Sequence, residues 1–293
     1  MNFAGTHTAL ITPFRDGKVD PEAFQALIER QIAAGITGIV PVGTTGESPT
    51  VDRVEHIETI RLAVEFAQGR CQVIAGTGAN STAEAIELTQ AAEQLGITGS
   101  LQVCPYYNKP SQEGIYRHYK AIAEATTLPI MLYSVPGRSV VEIGPETAAR
   151  LAADCPNITA IKEAGGSVDR INQLVHALPE GYGILSGDDP LTLPFIACGA
   201  NGLVSVAANI IPEVLVKLVN HCLNNEFAQA LSIQKEYYPL LNGLMSLDVN
   251  PVPIKTASHL MGHCTDELRL PLAPLADDNL SALRKLLTSY NLI

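Results

Sequence analysis

The chain has 293 residues, 46% of them hydrophobic, and a formal net charge of -11 at pH 7. That length buries a large core; no apolar stretch is long enough to span a bilayer, and the opening MNFAGTHTALITPF lacks the basic run and apolar core of a secretion signal. An acidic balance with no basic cluster excludes nucleic acid and membrane as expected partners, so the expectation is a cytoplasmic enzyme or binding protein that holds any anionic substrate with local donors.

In chain order, strand-like segments begin near His7, Gly38, Gln72, Gly99, Pro129, Ile158, Gly183 and Gly202, and a helical pattern follows each. The strands are short and apolar, as in a parallel sheet covered on both faces. Helix starts are marked by Asp20-Pro21-Glu22, by Ser81 with Glu84 three residues on, by Ser111, by Ser167, and by Asp189-Pro190. Eight such units predict an α/β fold, a (β/α)8 TIM barrel rather than a doubly wound sheet. From Asn225 onward the signals are helical only: FAQALSIQKEYYPLLNGLM, a proline-rich break at Asn250-Pro251-Val252-Pro253, IKTASHLMGH, and DDNLSALRKLLTSY. The expected organisation is a catalytic barrel over 1–224 and a helical appendage over 225–293.

Barrels of this kind place their chemistry at the carboxyl ends of the strands. Those ends read VGTTGES, AGTGAN, CPYYNKP, YSVPGR, KEAGG, SGDDP and SVAAN from the second strand to the eighth. In the stretch ITAIKEAGG a buried strand ends in a lysine, with Lys162 in phase with Ile158 and Ala160 and Glu163 on the opposite face. Lysine is almost never fully buried unless it is paired or used. A structural lysine bound to a carboxylate is the competing use, but the nearest carboxylate in sequence faces away. With Thr44, Thr45, Tyr133 and Arg138 at neighbouring strand ends, Lys162 completes the inventory of a carbonyl-handling site, in which a neutral amine is the nucleophile.

Other features receive plainer readings. The GTTGE turn, Gly43 to Glu47, is either a tight turn or a place where backbone N–H groups and two threonine hydroxyls face an anion. Gly76-Thr77-Gly78 is not a dinucleotide loop, because Ser81 stands where the third glycine would fall and suits a helix cap. Asp188-Asp189 would make this a metal-dependent aldolase or an enolase-like enzyme if it held a divalent cation, but adjacent strand residues face opposite ways and Asp189 before Pro190 reads as a cap. His259 and His263 lie one helical turn apart without a third ligand. Six cysteines with no C-x-x-C pair read as buried thiols rather than as a zinc site or disulfides.

GTTGE, YSVPGR (Tyr133 to Arg138) and AIKEA (Ala160 to Ala164) occur in that order with fitting spacing. With them the chain resembles the dihydrodipicolinate synthase family, of the superfamily that also contains N-acetylneuraminate lyase. The resemblance covers essentially the whole length, and the arginine of the V-P-G-R segment points to the synthase side. Ser134 stands where asparagine is more usual. The resemblance implies a Schiff-base condensation of pyruvate with L-aspartate 4-semialdehyde, at the entry to diaminopimelate and lysine synthesis, with no metal or organic cofactor. It makes Lys162 the imine-forming residue and Tyr133, Thr44 and Tyr107 a chain of hydroxyls that relays protons. Thr45 and its turn amides would hold the pyruvate carboxylate, Gly187 and Val206 would complete the substrate site, and Arg138 would receive the second carboxylate.

The resemblance further implies a homotetramer built from tight dimers, with Tyr107 entering the neighbour's site. Lysine is the implied effector at the tight-dimer interface, at Ser48, His56, Asn80, Glu84 and Tyr106. Glu84 has a second explanation, capping-box spacing from Ser81. Arg53 and Pro49 depart from the histidine and small residue common at their positions. A related pyruvate-dependent lyase acting on a sugar acid, and a non-catalytic small-molecule sensor, are the competing functions.

Overall fold

The computed structural model describes residues 2–293. Eight parallel strands close into a barrel: β1 (Gly5–Ala9), β2 (Gly38–Val40), β3 (Gln72–Gly76), β4 (Gly99–Val103), β5 (Ile130–Ser134), β6 (Ile158–Glu163), β7 (Gly183–Ser186) and β8 (Gly202–Ser205). Each strand pairs with its neighbours in sequence, and β1 pairs with β8 from Gly5 against Gly202. Helices α1 (Pro21–Ala33), α2 (Arg53–Ala67), α3 (Thr82–Glu93), α4 (Gln112–Glu124), α5 (Pro145–Asp154), α6 (Val168–Ala177), α7 (Thr192–Ala197) and α8 (Pro212–Leu223) surround it. The architecture is the (β/α)8 barrel that the pattern predicted.

Three details around the strands differ from the sequence reading. A short hairpin, Phe14–Arg15 against Lys18–Val19, precedes α1; two-residue strands carry no periodicity to detect. β1 begins at Gly5, so His7 is fully enclosed with its Nε2 2.8 Å from the Phe3 carbonyl, and burial lowers its pKa to about 4. In β6 the register against β5 shifts, with Ile130 opposite Ile158 but Met131 opposite Ala160, so Thr159 is an extra residue. Ile158 therefore packs in the core between barrel and helices, while Ala160 packs in the barrel interior with Val40, Ile74, Leu101, Met131 and Leu185. The alternation linking Ala160 to Lys162 holds only after that bulge.

Asp20, Ser81, Ser111 and Ser167 cap their helices as expected, each accepting the N–H three residues on. Asp189 does not. It lies inside a one-turn 3-10 helix (Asp189–Leu191), and its carboxylate reaches across to β8, where it accepts the N–H groups of Val206 and Ala207 at 2.9 Å and the Ser205 hydroxyl. It caps the turn that follows β8 rather than the helix that follows β7.

Beyond α8 come α9 (Phe227–Ser246), α10 (Val252–Leu260) and α11 (Asp277–Ser289), with no strand among them. α9 packs on α8 and α11, and α10 begins inside the proline-rich segment, where Pro253 occupies a first-turn position that needs no N–H. Among the described residues no helix is long and apolar enough to cross a membrane.

Candidate functional site

The site begins with two neighbouring strands. Tyr133 of β5 and Lys162 of β6 are register partners, and the Lys162 Nζ lies 4.3 Å from the centroid of the Tyr133 ring. Both are buried, Lys162 at 5% exposure and Tyr133 at 6%. Glu163 faces the other way: its carboxylate accepts the Gly165 N–H at 2.7 Å and pairs with Arg170 at 3.3 Å. Burial raises the Glu163 pKa against the pull of Arg170. The two ion pairs buried on both sides among the described residues, Glu163–Arg170 and Glu47–Lys255, leave Lys162 out. Gly187, after β7, makes room for it: a Cβ there would fall 2.8 Å from the Lys162 Cε and 2.7 Å from the Ala164 Cβ.

Above this pair opens a cavity of about 230 Å³, lined by Gly43 and Thr44 after β2, Gly76 at the end of β3 and Gly78 beyond it, Val103, Tyr106, Tyr133 and Arg138. Lys162 lies against the Tyr133 ring and does not itself line it. The GTTGE turn closes on itself through the N–H groups of Gly46, Glu47 and Ser48, which bond to Gly43 and Thr44 carbonyls. The amides of Gly43, Thr44 and Thr45 have no protein acceptor among the described residues, which makes them the free donors of the turn.

Thr45 is 3% exposed, and its Oγ1 accepts a hydrogen bond from the Asn250 Nδ2 at 3.0 Å. The Asn250 carbonyl in turn accepts from Arg138 at 2.9 Å. Asn250 thus joins the turn after β2 to the arginine after β5. Sequence reasoning missed it, because the only signal at that position was a proline-rich break 205 residues from Thr45.

Of the other expected members, Thr45, Gly187, Tyr107 and Val206 are not among the residues that line the cavity. Tyr107 is 89% exposed, with a left-handed φ of 72°, and lines no part of the cavity; its neighbour Tyr106 does. Val206 is buried with its N–H given to Asp189. Beside it, Asp188 is raised from 3.8 to about 6, by burial first and by the Asp189 charge second. A carboxyl raised in the folded state costs stability above its folded pKa, and the cost fades as pH falls through about 6 toward the ordinary value. Asp188→Asn is therefore expected to stabilise the protein near pH 8, on the order of 2 kcal/mol, and to lose that advantage near pH 4; melting curves at the two pH values check it.

A second cavity of about 160 Å³ shares Ser48, Pro49, Gly78 and Tyr106 with the first. His56, Glu84, Arg53 and Glu87 also line it. The His56 Nε2–H donates to the Gly76 carbonyl at 2.7 Å, and burial lowers its pKa, so the ring is neutral and its other nitrogen is an acceptor. Asn80 lies outside this cavity, where its amide holds the Tyr106 carbonyl at 3.1 Å. Ser81 accepts the Glu84 N–H at 3.5 Å, but the Glu84 carboxylate returns no bond to Ser81, so only half a capping box forms. Burial, then the Glu84 charge, pushes the Tyr106 phenol up. At the rim Arg53 pairs with Glu87 at 3.1 Å.

No group of three or more His, Cys, Asp or Glu side chains gathers in a metal-binding arrangement among the described residues. All six cysteines are free, and the His259 Nδ1 is engaged by the Cys264 carbonyl.

The model of the Dihydrodipicolinate synthetase family matches residues 2–290. The 4-hydroxy-tetrahydrodipicolinate synthase of Persephonella marina is 48% identical over 292 residues, covering 99% of each chain. Among solved structures, the 4-hydroxy-tetrahydrodipicolinate synthase of Methylacidiphilum fumariolicum SolV superposes with a TM-score of 0.98 at 52% identity, covering 99% of this chain and 96% of that one. The dihydrodipicolinate synthase of Acinetobacter baumannii, solved in complex with pyruvate, gives 0.96 at 44% identity with complete coverage of both chains. The enzyme of Cyanidioschyzon merolae, solved with lysine bound, gives 0.96 at 38% identity and 99% coverage of both. A barrel with a buried lysine at the end of β6, matched to these relatives over its whole length, belongs to the dihydrodipicolinate synthetase family.

Proposed function

We propose that this protein condenses pyruvate with L-aspartate 4-semialdehyde to 4-hydroxy-tetrahydrodipicolinate, through an imine on Lys162. The observation that carries this reading is the Lys162 amine itself, buried at the end of β6 against Tyr133 and outside the buried ion pairs. As a neutral amine it adds to the ketone carbon of pyruvate, and water leaves as the imine forms. The imine accepts the electron pair left when the methyl group loses a proton, and the resulting enamine carbon attacks the aldehyde. The amino group of the second substrate then displaces Lys162 from the same carbon, which closes the ring and frees the enzyme.

The free amides of Thr44 and Thr45 suit the pyruvate carboxylate, and because the Thr45 Oγ1 accepts from Asn250, its own proton is available to the same anion. Arg138, held through one nitrogen by the Asn250 carbonyl, offers the rest of its fork to the second carboxylate. Tyr133 and Thr44, both at the cavity wall, pass protons with Tyr107. Tyr107 points outward in a single chain, so the reading requires a second subunit to receive it, in a tight dimer that pairs into a homotetramer. Residues 1–224 form the catalytic barrel, and 225–293 form an appendage that contributes Asn250. Free thiols suit a reducing compartment, the cytoplasm.

The test is turnover. Pyruvate consumption is expected to depend on L-aspartate 4-semialdehyde and not on a sugar-derived aldehyde. Consumption with the sugar aldehyde alone would make the protein a related lyase, and consumption with neither would make it a sensor.

The second cavity suits lysine as an inhibitor: Glu84 and His56 both line it, a carboxylate and a neutral ring of the kind that accepts hydrogen bonds from an ammonium group, and the relative from Cyanidioschyzon merolae was solved with lysine bound. Glu84→Ala is expected to raise the half-inhibitory lysine concentration at least about tenfold while pyruvate trapping at Lys162 stays intact. Unchanged inhibition in this variant, or a wild type whose turnover and melting temperature ignore saturating lysine, would remove the effector role.

A further inference from the structure

One buried pair of charges has no part in these steps. Glu47 ends the GTTGE turn, Lys255 lies on α10, and the two form an ion pair in which each side chain is 1% exposed. The Lys255 Nζ also sits 4.0 Å from the centroid of the Phe14 ring. The second carboxylate oxygen of Glu47 accepts the Arg269 N–H at 3.0 Å, and the Arg269 guanidinium lies 4.1 Å from that same ring while bonding to Glu55 at 2.7 Å. Two residues earlier in the turn, Asn250 holds the Thr45 hydroxyl. The helical appendage therefore grips alternate residues of the turn, Thr45 and Glu47.

The pair is not explained by stability alone. Exchanging a buried ion pair for apolar groups of similar volume is often neutral or stabilising, because desolvation offsets the attraction. It is directional, however, and Glu47 needs direction: its φ of 58° is a left-handed conformation that a non-glycine residue keeps only when its surroundings impose it. The amides of Thr44 and Thr45 lie three and two residues before that point.

We propose that Glu47 and Lys255 are positioning residues that fix the turn so that the amides of Thr44 and Thr45 and the Thr45 hydroxyl meet the pyruvate carboxylate. This rests on the reading of the turn as the pyruvate-carboxylate site. Lys255 touches no substrate and acts through Glu47.

The test compares the full-length wild type with Glu47→Gln and with the double variant Glu47→Gln/Lys255→Met, which removes both charges at nearly constant volume. Imine formation is read by borohydride trapping over a range of pyruvate concentrations, and the KM for L-aspartate 4-semialdehyde and the melting temperature are measured alongside. The expected result is a half-saturating pyruvate concentration raised at least about tenfold, a saturating rate less affected, and an aldehyde KM within about twofold of wild type. A merely structural role would lower the melting temperature or the active fraction and leave half-saturation where it was. Half-saturation within about twofold of wild type in either folded variant overturns the proposal. Failure of both variants to fold assigns the pair to stability and overturns it as well. Absence of any pyruvate adduct in the wild type would instead overturn the reading of the site, and the proposal with it.

Discussion

Borohydride reduction in the presence of pyruvate is expected to leave one adduct per chain, on the peptide that carries Lys162, and none on Lys162→Ala. The same substitution is expected to lower turnover by at least about three orders of magnitude, a loss of about 4 kcal/mol of transition-state stabilisation. The size of the effect follows from what the amine does. Without it there is no imine, and no other group at the cavity can accept the electron pair released when the methyl carbon is deprotonated. The fold should survive, because Lys162 takes part in neither buried ion pair, and the buried Asp189 carboxylate, which feels its charge, keeps its hydrogen bonds from Ser205, Val206 and Ala207. Peptide mass mapping reads the result. An active, trapped enzyme with Lys162 unmodified, or an adduct that persists in Lys162→Ala, would end the imine mechanism at this residue.

Restored activity from two inactive proteins is the second large effect. Tyr107 lies away from the cavity of its own chain, 89% exposed on a strained backbone. If it serves the neighbouring subunit, a dimer of one Tyr107→Phe chain and one Lys162→Ala chain has one site with both intact residues and one with neither. Equal mixing with statistical exchange puts half the dimers in that state, so about a quarter of wild-type activity should return. Each variant alone should stay near its own baseline. Mixed dimers demonstrated by mass, with no recovery of turnover, would show that Tyr107 does not cross between subunits.

The eight strands were legible because a parallel strand buried on both faces is a short apolar run, and most helices between them announce their first turn with Asp or Ser followed by a free N–H. Lys162 was legible for the opposite reason, as a charge where burial disfavours one. Phase was less secure. The shared face of Ile158 and Ala160 failed at Thr159, since a bulge is defined by what the partner strand does and not by the residues that form it. Asp189 illustrates the same limit: its place before Pro190 is that of a local cap, but its carboxylate found better donors on β8.

By itself the sequence determined the barrel, the order of the strand ends and the chemical inventory at those ends, all of which depend on local pattern. Only the tertiary structure decided which groups meet. Asn250 reaches Thr45 across 205 positions, Lys255 reaches Glu47 across 208, and Gly187 is bare because the Lys162 stem passes beside it. Such contacts join residues whose neighbours in sequence carry no trace of one another, because closing the barrel and folding the appendage back over its open end fix their distances. Tyr107 belongs to the same class: its outward direction is set by the loop after β4, and neither its position in the chain nor its residue type records which surface it faces.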